Sequence, residues 1–414
     1  MDNMKIISAM PEMLSGNELI SALAMLPKYD ANIRESNVAI RLMALSELYK
    51  IYVPSKMSLE IYSKLYLALL RSLQKKSTKV AIQQRNENSK AIRLQNYNGI
   101  VGGSDSFTII GASGIGKSSA ISRAIELITE NRVIEVDKPY TKIIPCIVVQ
   151  CPFDSSVKGL LLEILRKVDE CLESNYYHNA LKARATTDML IGSVSQVAMN
   201  HVGLLIVDEI QNVVNSKNGK SLVGALTQLI NNSGISIAMI GTPESSIFFE
   251  QAFQLARRSL GLQYGALEYG TEFISLCKIL FSYQYVKNNV ELTDDMIGWL
   301  YEHSSGIVSI VVSLIHDAQE IAMLNGSECL DMVSLNEAYK KRLSMLHTFI
   351  EPTIKREKQT SNKKKSDKLD VSGTVADMKN NDVKIADMVA KAKEEKSDIV
   401  EVLREYITID EVAI

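Results

Sequence analysis

Apolar residues recur at helical spacing through the first part of this chain. They do so over residues 19–26 and 40–48, which predicts short helices rather than a disordered tail. A longer apolar stripe predicts a helix from Leu59 to Leu73, with Ser58 as its cap. The stretch from Lys75 to Asn98 is rich in Lys, Gln, Asn and Arg, and we expect it to be an exposed hairpin or loop.

From residue 106 the pattern changes, because short apolar runs alternate with amphipathic segments. The runs are continuously apolar, which is typical of parallel strands covered on both faces. The predicted strands cover 107–110, 144–149, 204–207 and 235–240, and the predicted helices cover 119–129, 157–172, 187–199, 222–230 and 245–255. After Thr293 the pattern is helical throughout, with helices expected at 294–303, 307–324 and 332–346.

This organisation predicts an α/β core with a parallel sheet, followed by a small helical domain. We expect a helical N-terminal extension for partner docking at 1–50, the α/β domain at 51–285 and the helical domain at 286–351. Lysines cluster after Pro352 without an apolar pattern, which indicates a flexible basic linker at 352–376. The tail at 377–414 is mildly amphipathic and too short to form a core alone, and it is expected to be a docking segment.

Composition narrows the classes of protein that this chain can be. Of its 414 residues 46% are hydrophobic and 23% charged, which is ordinary for a globular protein. The net charge is −2, so any binding to nucleic acid requires a local basic patch. The five cysteines show no C-x-x-C spacing, which favours reduced thiols over zinc or disulfides. With no signal peptide and no apolar run near 20 residues, we expect a cytoplasmic protein without membrane contact.

One motif carries the clearest chemistry. Residues 111–118 read G-A-S-G-I-G-K-S, which matches G-x-x-x-x-G-K-[ST] between a predicted strand and a predicted helix. Glycines let successive N–H groups point at one anion, and the helix adds its positive end. The alternative is a Gly/Ser-rich turn that matches the motif by chance. The position of the motif between a predicted strand and a predicted helix favours the phosphate-binding loop. The predicted nucleotide contacts are Gly111, Ser113, Gly114, Ile115, Gly116, Lys117, Ser118 and Ser119, with Lys117 on the β- and γ-phosphates and Ser118 on Mg²⁺.

Three further positions complete a candidate hydrolytic site. Asp208 and Glu209 follow an apolar strand, where Asp208 is predicted to hold Mg²⁺ and Glu209 to polarise the attacking water. The alternative is an acidic pair that caps the next helix. Thr242 follows the next strand and is predicted to orient the same water, although it is also suited to capping a helix that starts at Pro243.

Arg257 and Arg258 follow on the next helix. An arginine is always charged and bidentate, which suits insertion into the γ-phosphate site of a neighbouring subunit. The alternative is a solvated pair on a helix face. If an arginine acts in this way, the site is shared and the protein must form a homo-oligomer to hydrolyse ATP.

These motifs resemble those of an AAA+ ATPase, and more closely those of TnsC, the regulator ATPase of heteromeric transposons, and its TniB relatives. The matching segments are G-A-S-G-I-G-K-S-S at 111–119, L-L-I-V-D-E-I-Q-N at 204–212, M-I-G-T-P-E at 239–244 and L-A-R-R-S-L-G at 255–261. Weaker similarity extends from about residue 52 to 347. By this resemblance Asp208 and Glu209 correspond to Walker B, Thr242 to sensor 1, and Arg257 or Arg258 to the arginine finger. Residues 304–309 contain no arginine where many AAA+ proteins have sensor 2.

The resemblance implies an AAA+ fold with a helical lid, the cofactors ATP and Mg²⁺, and a ring or filament around double-stranded DNA. That assembly connects a target-selector protein to transposase subunits, and hydrolysis remodels it. Lys217 and Lys220 in the loop after Walker B, and Lys158 by analogy, are candidate phosphate contacts without sequence readout. Solvated lysines are the alternative. The linker lysines at 363–365 are a further candidate.

Two other functions remain open at this level. One is a scaffold that binds ATP without hydrolysing it, which the carboxylate of Glu209 disfavours. The other is a general AAA+ initiator, loader or signalling ATPase without a role in transposition. The C-terminal part gives no helix-turn-helix signal, which counts against a replication initiator.

Overall fold

A six-stranded sheet forms the centre of the α/β part of the chain. The computed structural model describes residues 10–76, 106–130, 132–137, 140–214, 216–246 and 261–343. The strands are β1 (Phe107–Gly111), β2 (Ile134–Asp137), β3 (Tyr140–Gln150), β4 (Val202–Asp208), β5 (Ser236–Gly241) and β6 (Leu262–Tyr264). Their order in the sheet is β2-β3-β4-β5-β1-β6, and only β2 pairs antiparallel with its neighbour. The predicted α/β core with a mostly parallel sheet is therefore confirmed.

Twelve α-helices lie in the described residues. They are α1 (Gly16–Leu23), α2 (Val38–Leu45), α3 (Lys56–Lys76), α4 (Lys117–Thr129), α5 (Val157–Leu172), α6 (Tyr176–Lys182), α7 (Thr187–His201), α8 (Gly219–Ser233), α9 (Thr271–Phe281), α10 (Asp294–Ser304), α11 (Val308–Asn325) and α12 (Met332–Arg342). Short 3₁₀ helices lie at Ala31–Glu35, Ser46–Lys50 and Ile210–Val213.

Side chains on the two faces of the sheet enter two different hydrophobic clusters. Along β4, Leu205 and Val207 pack with residues of α5, α7 and α8. Leu204 and Ile206 pack instead with residues of α1, α3 and α4. A strand with helices on both faces has no solvent-facing side, and this explains why its sequence is continuously apolar.

The C-terminal helices α9 to α12 form a third cluster, and the N-terminal segment contributes to it. Leu45 and Leu48 are buried among residues of α9, α10, α11 and α12. Leu19 and Leu23 of α1 are buried in the cluster on the sheet. The N-terminal residues therefore contact both the sheet and the C-terminal helices. Met25, which follows α1, forms an isolated antiparallel β-bridge with Tyr52.

A buried arginine fixes the second of these contacts. Arg41 on α2 is fully buried and forms a two-pronged ion pair with Glu328, with both N–O distances at 2.6 Å. It also donates to the carbonyl oxygens of Ser36 and Tyr285 at 3.1 and 3.0 Å. The hydrogen bonds from Arg41 hold the pKa of Glu328 below its ordinary value. All four contacts share one guanidinium, whose charge is thereby compensated away from water.

Several elements differ from their sequence-based predictions. The prediction that Ser58 caps a helix from Leu59 is wrong, because α3 begins at Lys56 and the Ser58 hydroxyl accepts from the Ser55 backbone inside the first turn, at 3.1 Å. The sequence pattern did not predict β2 and β6, which are short and lie at the two edges of the sheet. It also missed α6 and α9. The polar stretch 77–98, the rest of the helix predicted at 245–255, and everything after residue 343 lie outside the described residues.

We expect Arg41→Ala to lower the free energy of unfolding by about 3 kcal/mol, because it leaves Glu328 without its charge partner. The effect should depend on pH. The pKa of Glu328 is lowered in the folded protein, so the pair stabilises above the ordinary carboxyl pKa of about 4.3 and this stabilisation is lost as the pH falls. Chemical denaturation at pH 7 and at progressively lower pH measures both effects.

Lys50→Ala is the matched control. Lys50 forms an exposed ion pair with Glu47, and surface pairs contribute about 0 to 1 kcal/mol. Equal losses for Arg41→Ala and Lys50→Ala would contradict a stabilising role for the buried pair.

Candidate functional site

The loop between β1 and α4 curls through two glycines in the left-handed region. Gly114 has φ +80° and Gly116 has φ +95°, and α4 starts immediately afterwards at Lys117. Glycine adopts these angles without the clash that a Cβ brings. The curl turns the loop over the N-terminal end of α4, which is the geometry of an anion-binding loop.

Lys117 projects back across this loop. Its Nζ donates to the carbonyl oxygens of Gly111 and Ala112 at 2.6 and 2.8 Å. Burial lowers the pKa of Lys117, and the carboxylates of Asp208, Glu209 and Glu244 partly offset that effect. A partly buried ammonium of this kind suits an anionic ligand such as phosphate, because an opposite charge beside it favours the charged form that burial disfavours.

The carboxylates of Asp208 and Glu209 lie at the end of β4, in a turn with an uncommon backbone conformation. The backbone N–H of Glu209 donates to Asp208 Oδ1 at 2.8 Å, and Glu209 itself has φ +58° and ψ +36°. A non-glycine residue in this left-handed conformation is uncommon and stores strain, which is frequent at functional sites. The strained turn directs the chain from β4 into the 3₁₀ helix at Ile210–Val213.

Gln211 connects the ends of β4 and β5. Its Nε2 donates to Glu209 Oε2, and its Oε1 accepts from the backbone N–H of Thr242 at 3.3 Å. The Thr242 hydroxyl hydrogen-bonds to Glu244, which holds the pKa of the Glu244 carboxyl below its ordinary value. Gln211 was quoted in the sequence motif but given no role there. Its signal in the sequence is its place two residues after Glu209.

These strand ends line one cavity of about 280 Å³. The structure brings together nearly all of the residues predicted for Walker A, Walker B and sensor 1. The lining residues are Ser113, Gly114, Gly116, Lys117, Ser118, Ser119, Asp208, Glu209, Gln211, Gly241, Thr242 and Ser309. Gly111 lies beneath the loop, where its carbonyl holds Lys117.

A larger cavity of about 790 Å³ adjoins the first and shares Gly114, Gly116, Ser119 and Ser309 with it. Its walls come from residues 49–60, from residues 263–276 and from the first turns of α11. Ile115 belongs to this cavity rather than to the first. Much of the lining is apolar, including Ile51, Val53, Leu276, Val308 and Val312. Size and apolarity suit a flat ring system.

The C-terminal helices touch the phosphate-binding loop directly. The backbone N–H of Ser309 donates to the Gly114 carbonyl at 3.0 Å, and that of Leu267 donates to the Gly306 carbonyl at 3.0 Å. Ser309 is in the stretch that contains no arginine. The first turn of α11 thus reaches the smaller cavity through Ser309.

The remaining predicted residues lie apart from the cavities. Lys158 is exposed on the first turn of α5, Lys217 is exposed in the loop before α8, and Lys220 is exposed at the start of α8. Arg257 and Arg258, predicted as the arginine finger, lie outside the described residues.

A comparison with family models decides the class of this domain. Residues 102–262 match the model described as "Bacterial TniB protein". Over this stretch, which is less than half of the chain, the sequence is similar to TniB proteins. The resemblance to TniB that the motifs predicted is thereby confirmed for this stretch, as is the AAA+ class of the fold. No curated protein sequence matches the chain.

Solved structures that resemble this chain include ORC and Cdc6 proteins. "Structure of Drosophila ORC bound to DNA" has 14% identity and a TM-score of 0.43, and the match covers 81% of this chain and 71% of that one. The Aeropyrum pernix ORC1 protein in complex with DNA has 15% identity, a TM-score of 0.40 and coverage of 63% and 64%. Cdc6p from Pyrobaculum aerophilum has 10% identity, a TM-score of 0.37 and coverage of 62% and 66%. The chain thus spans just under two thirds of the last two.

The described residues include no helix long and apolar enough to cross a membrane.

We expect Gly114→Ala to detach the first turn of α11 from the phosphate-binding loop. A Cβ at this position would lie 2.2 Å from Ser309 Oγ, and φ is +80°. Hydrogen exchange of peptides that cover residues 306–313, without nucleotide, should show loss of protection.

Gly116→Ala separates the effect of backbone strain from the effect of the clash with Ser309. It has the same sign of φ, at +95°, but no atom lies within 4 Å of the added Cβ. It should therefore strain the loop without exposing the amide of Ser309. Equal protection of residues 306–313 in both variants would argue against the contact.

Proposed function

We propose that this protein binds ATP with Mg²⁺ and hydrolyses it. The observation that carries the proposal is the convergence of Lys117, Ser118, Asp208, Glu209 and Thr242 around one cavity, at the carboxyl ends of adjacent strands. In open parallel sheets, ligands bind at this edge. The apolar cavity beside it offers a place for the adenine ring and ribose.

Each residue has a distinct part in this reaction. The N–H groups of the loop and the ammonium of Lys117 bind the phosphates, and Glu209 accepts a proton from the attacking water, which Thr242 orients. The hydroxyl of Ser118 and the carboxylate of Asp208 line the same cavity, and oxygen donors of this kind suit Mg²⁺. When bound, Mg²⁺ neutralises phosphate charge and aligns the leaving group.

We propose further that Arg257 or Arg258 completes the site of a neighbouring subunit, so that hydrolysis requires a homo-oligomer. The support is the chemistry of arginine and the match of L-A-R-R-S-L-G at 255–261 to the family motif. The proposed assembly is a ring or filament around double-stranded DNA.

The biological function that we propose is regulation of transposition. The ATP-bound assembly would connect a target-selector protein to transposase subunits, and hydrolysis would release it. The TniB match supports this assignment over a general initiator, loader or signalling ATPase. The presence of Glu209 in the cavity supports hydrolysis over a scaffold that only binds ATP.

We expect Glu209→Gln to lower the rate of ATP hydrolysis ~100-fold or more while nucleotide binding is retained, because the amide cannot accept the proton of the attacking water. The variant should accumulate assemblies on double-stranded DNA in the presence of ATP, visible by electron microscopy. Wild-type protein should form them with ATP or a slowly hydrolysed analogue, but not with ADP or without nucleotide.

Glu291→Gln is the control, because Glu291 is exposed and is not among the residues that line the cavity. Monomers in every condition would contradict the shared site and the DNA function together. If assemblies form on DNA but capture no integrase-type transposase, the role in transposition is contradicted while the ATP-dependent binding of DNA stands.

We expect the triple variant Lys158→Ala, Lys217→Ala, Lys220→Ala to weaken duplex binding equally for all sequences. Log affinity falls as log salt concentration rises. Each lost phosphate contact should make this negative slope less steep by about 0.9, so the full change is about 2 to 3. Binding isotherms at several salt concentrations, with ATP present, measure the slope.

The control replaces three other exposed lysines, Lys28, Lys278 and Lys340, and therefore makes the same change in net charge. An unchanged slope in the first variant, or an equal change in both, would mean that the three candidate lysines do not contact the duplex.

A further inference from the structure

Gln211 is the centre of a hydrogen-bonded chain that occupies both candidate water-binding groups. Its amide nitrogen donates to Glu209 Oε2, and its amide oxygen accepts from the Thr242 backbone at 3.3 Å. At the far end, the Thr242 hydroxyl is bound to Glu244. The carboxylate that would accept a proton from water and the hydroxyl that would orient that water are thus both engaged within the protein.

The approach of Gln211 depends on a glycine at the end of β5. A Cβ at Gly241 would lie 2.7 Å from Ile210 Cγ2 and 3.1 Å from Gln211 Oε1. A side chain there would therefore displace the side chains of Ile210 and Gln211 on the 3₁₀ helix. The strand end and this helix are therefore fitted to each other at the place where the amide makes its two contacts.

The same 3₁₀ helix, at Ile210–Val213, also holds the loop that follows β3. The carbonyl oxygen of Asn212 accepts from the hydroxyl of Ser155 at 3.1 Å, and the side chain of Asn212 donates to the carbonyl of Cys151 at 3.0 Å. Ser155 is fully buried and has φ +51°, so the loop is tightly fixed at this point.

A second pair of contacts joins that loop to the segment with Lys217. The hydroxyl of Ser216 and the side-chain amide of Asn218 both donate to the carbonyl of Asp154, at 2.9 and 3.1 Å. Phe153, the neighbouring residue, is 91% exposed. A cavity of about 410 Å³ lies between these loops and the strand end, lined by Phe153, Asp154, Gln211, Asn212, Ser216, Thr242 and Glu244.

The joined loops thus have one exposed side and one side that reaches the hydrolytic residues. Lys217 flanks the contacts to Asp154, and Lys158 begins the helix that the same loop enters. A displacement of either loop must be transmitted to Asn212, and Asn212 adjoins Gln211 in one short helix. The fold therefore connects the segments that carry these lysines to the Glu209 carboxylate through hydrogen bonds and short stretches of backbone.

We propose that Gln211 is a latch, a positioning residue that restrains Glu209 from activating water until duplex DNA displaces the joined loops. The inference rests on the proposed ATPase function and adds to it the means by which DNA would control hydrolysis. Contact with DNA shifts the 3₁₀ helix, Gln211 releases the Glu209 carboxylate, and that side chain turns to the water. Without DNA, hydrolysis continues at a low basal rate.

The test is the ATPase rate of full-length Gln211→Ala, with and without double-stranded DNA. We expect kcat without DNA to rise about fivefold, as for the loss of one hydrogen bond of ordinary strength, with KM for ATP unchanged. The ratio of the DNA-stimulated to the basal rate should fall towards 1. Gln211→Asn keeps the amide but is one methylene shorter, so it should raise the basal rate as well, and it serves as the second variant if Gln211→Ala does not fold.

Gln228→Ala is the matched control, because Gln228 is an exposed glutamine on α8. It should leave the basal rate and the stimulation ratio unchanged. If Gln211→Ala lowers the basal and stimulated rates by the same factor, the latch is overturned, and Gln211 instead orients Glu209 for hydrolysis. An unchanged basal rate also overturns it.

The experiment separates this inference from the proposed function. If wild-type protein hydrolyses ATP without stimulation by DNA, and Gln211→Ala is faster, control by DNA is overturned while the restraint of Glu209 by Gln211 stands. If wild-type protein hydrolyses ATP at the same rate as Gln211→Ala, only the latch fails. If neither protein hydrolyses ATP, both the ATPase function and the latch are overturned.

Discussion

Parallel pairing of β4, β5 and β1 is the constraint on which the candidate site depends. The register aligns Val207 with Met239 and Ile110 with Gly241, so the three strands end at one edge of the sheet. Asp208 and Thr242 follow two of these ends, and the phosphate-binding loop follows the third. Groups about a hundred residues apart in sequence therefore surround a cavity of about 280 Å³. The buried apolar faces of the strands fix this edge, and the polar residues only have to occupy it.

The site combines that rigid edge with local conformations that are costly alone. Glu209 is in the left-handed region, and Gly241 is the only residue type that admits Ile210 and Gln211 beside β5. Such strain persists only where the surrounding structure over-determines it. Here the flanking strand β4 is buried on both faces, and Ile210 and Val213 of the 3₁₀ helix are buried in the same cluster. The apolar core thus keeps Glu209, a catalytic candidate, and the neighbouring Gln211 in positions that an isolated loop would not keep.

The sequence predicted those parts of the protein whose signals are local. Continuous apolar runs gave the inner strands, and G-x-x-x-x-G-K-[ST] between a strand and a helix gave the loop at 111–118. It did not predict β2 or β6, because short edge strands carry little apolar pattern. Nor did it predict the pairing of Arg41 with Glu328, the wall of the larger cavity or the contact of Ser309 with Gly114. Each of these features joins residues that are about 190 or more positions apart in the sequence. The role of Gln211 was missed because its two partners meet only once β4 and β5 are paired.

The larger cavity indicates why the N-terminal residues pack against the C-terminal helices. One wall is the phosphate-binding loop, and the others are residues 49–60 and the start of α11. Arg41 and Glu328 join α2 to the helical region through a fully buried guanidinium, and Leu45 and Leu48 extend that contact up to the cavity wall. The N-terminal segment and the C-terminal helices are therefore coupled on one side of the cavity, with the sheet on the other. A ligand that contacts both sides favours the arrangement in which they are closest, because only that arrangement contributes all of its contacts. The first turn of α11 contacts the phosphate-binding loop without an arginine at residues 304–309, because the backbone N–H of Ser309 donates to the Gly114 carbonyl.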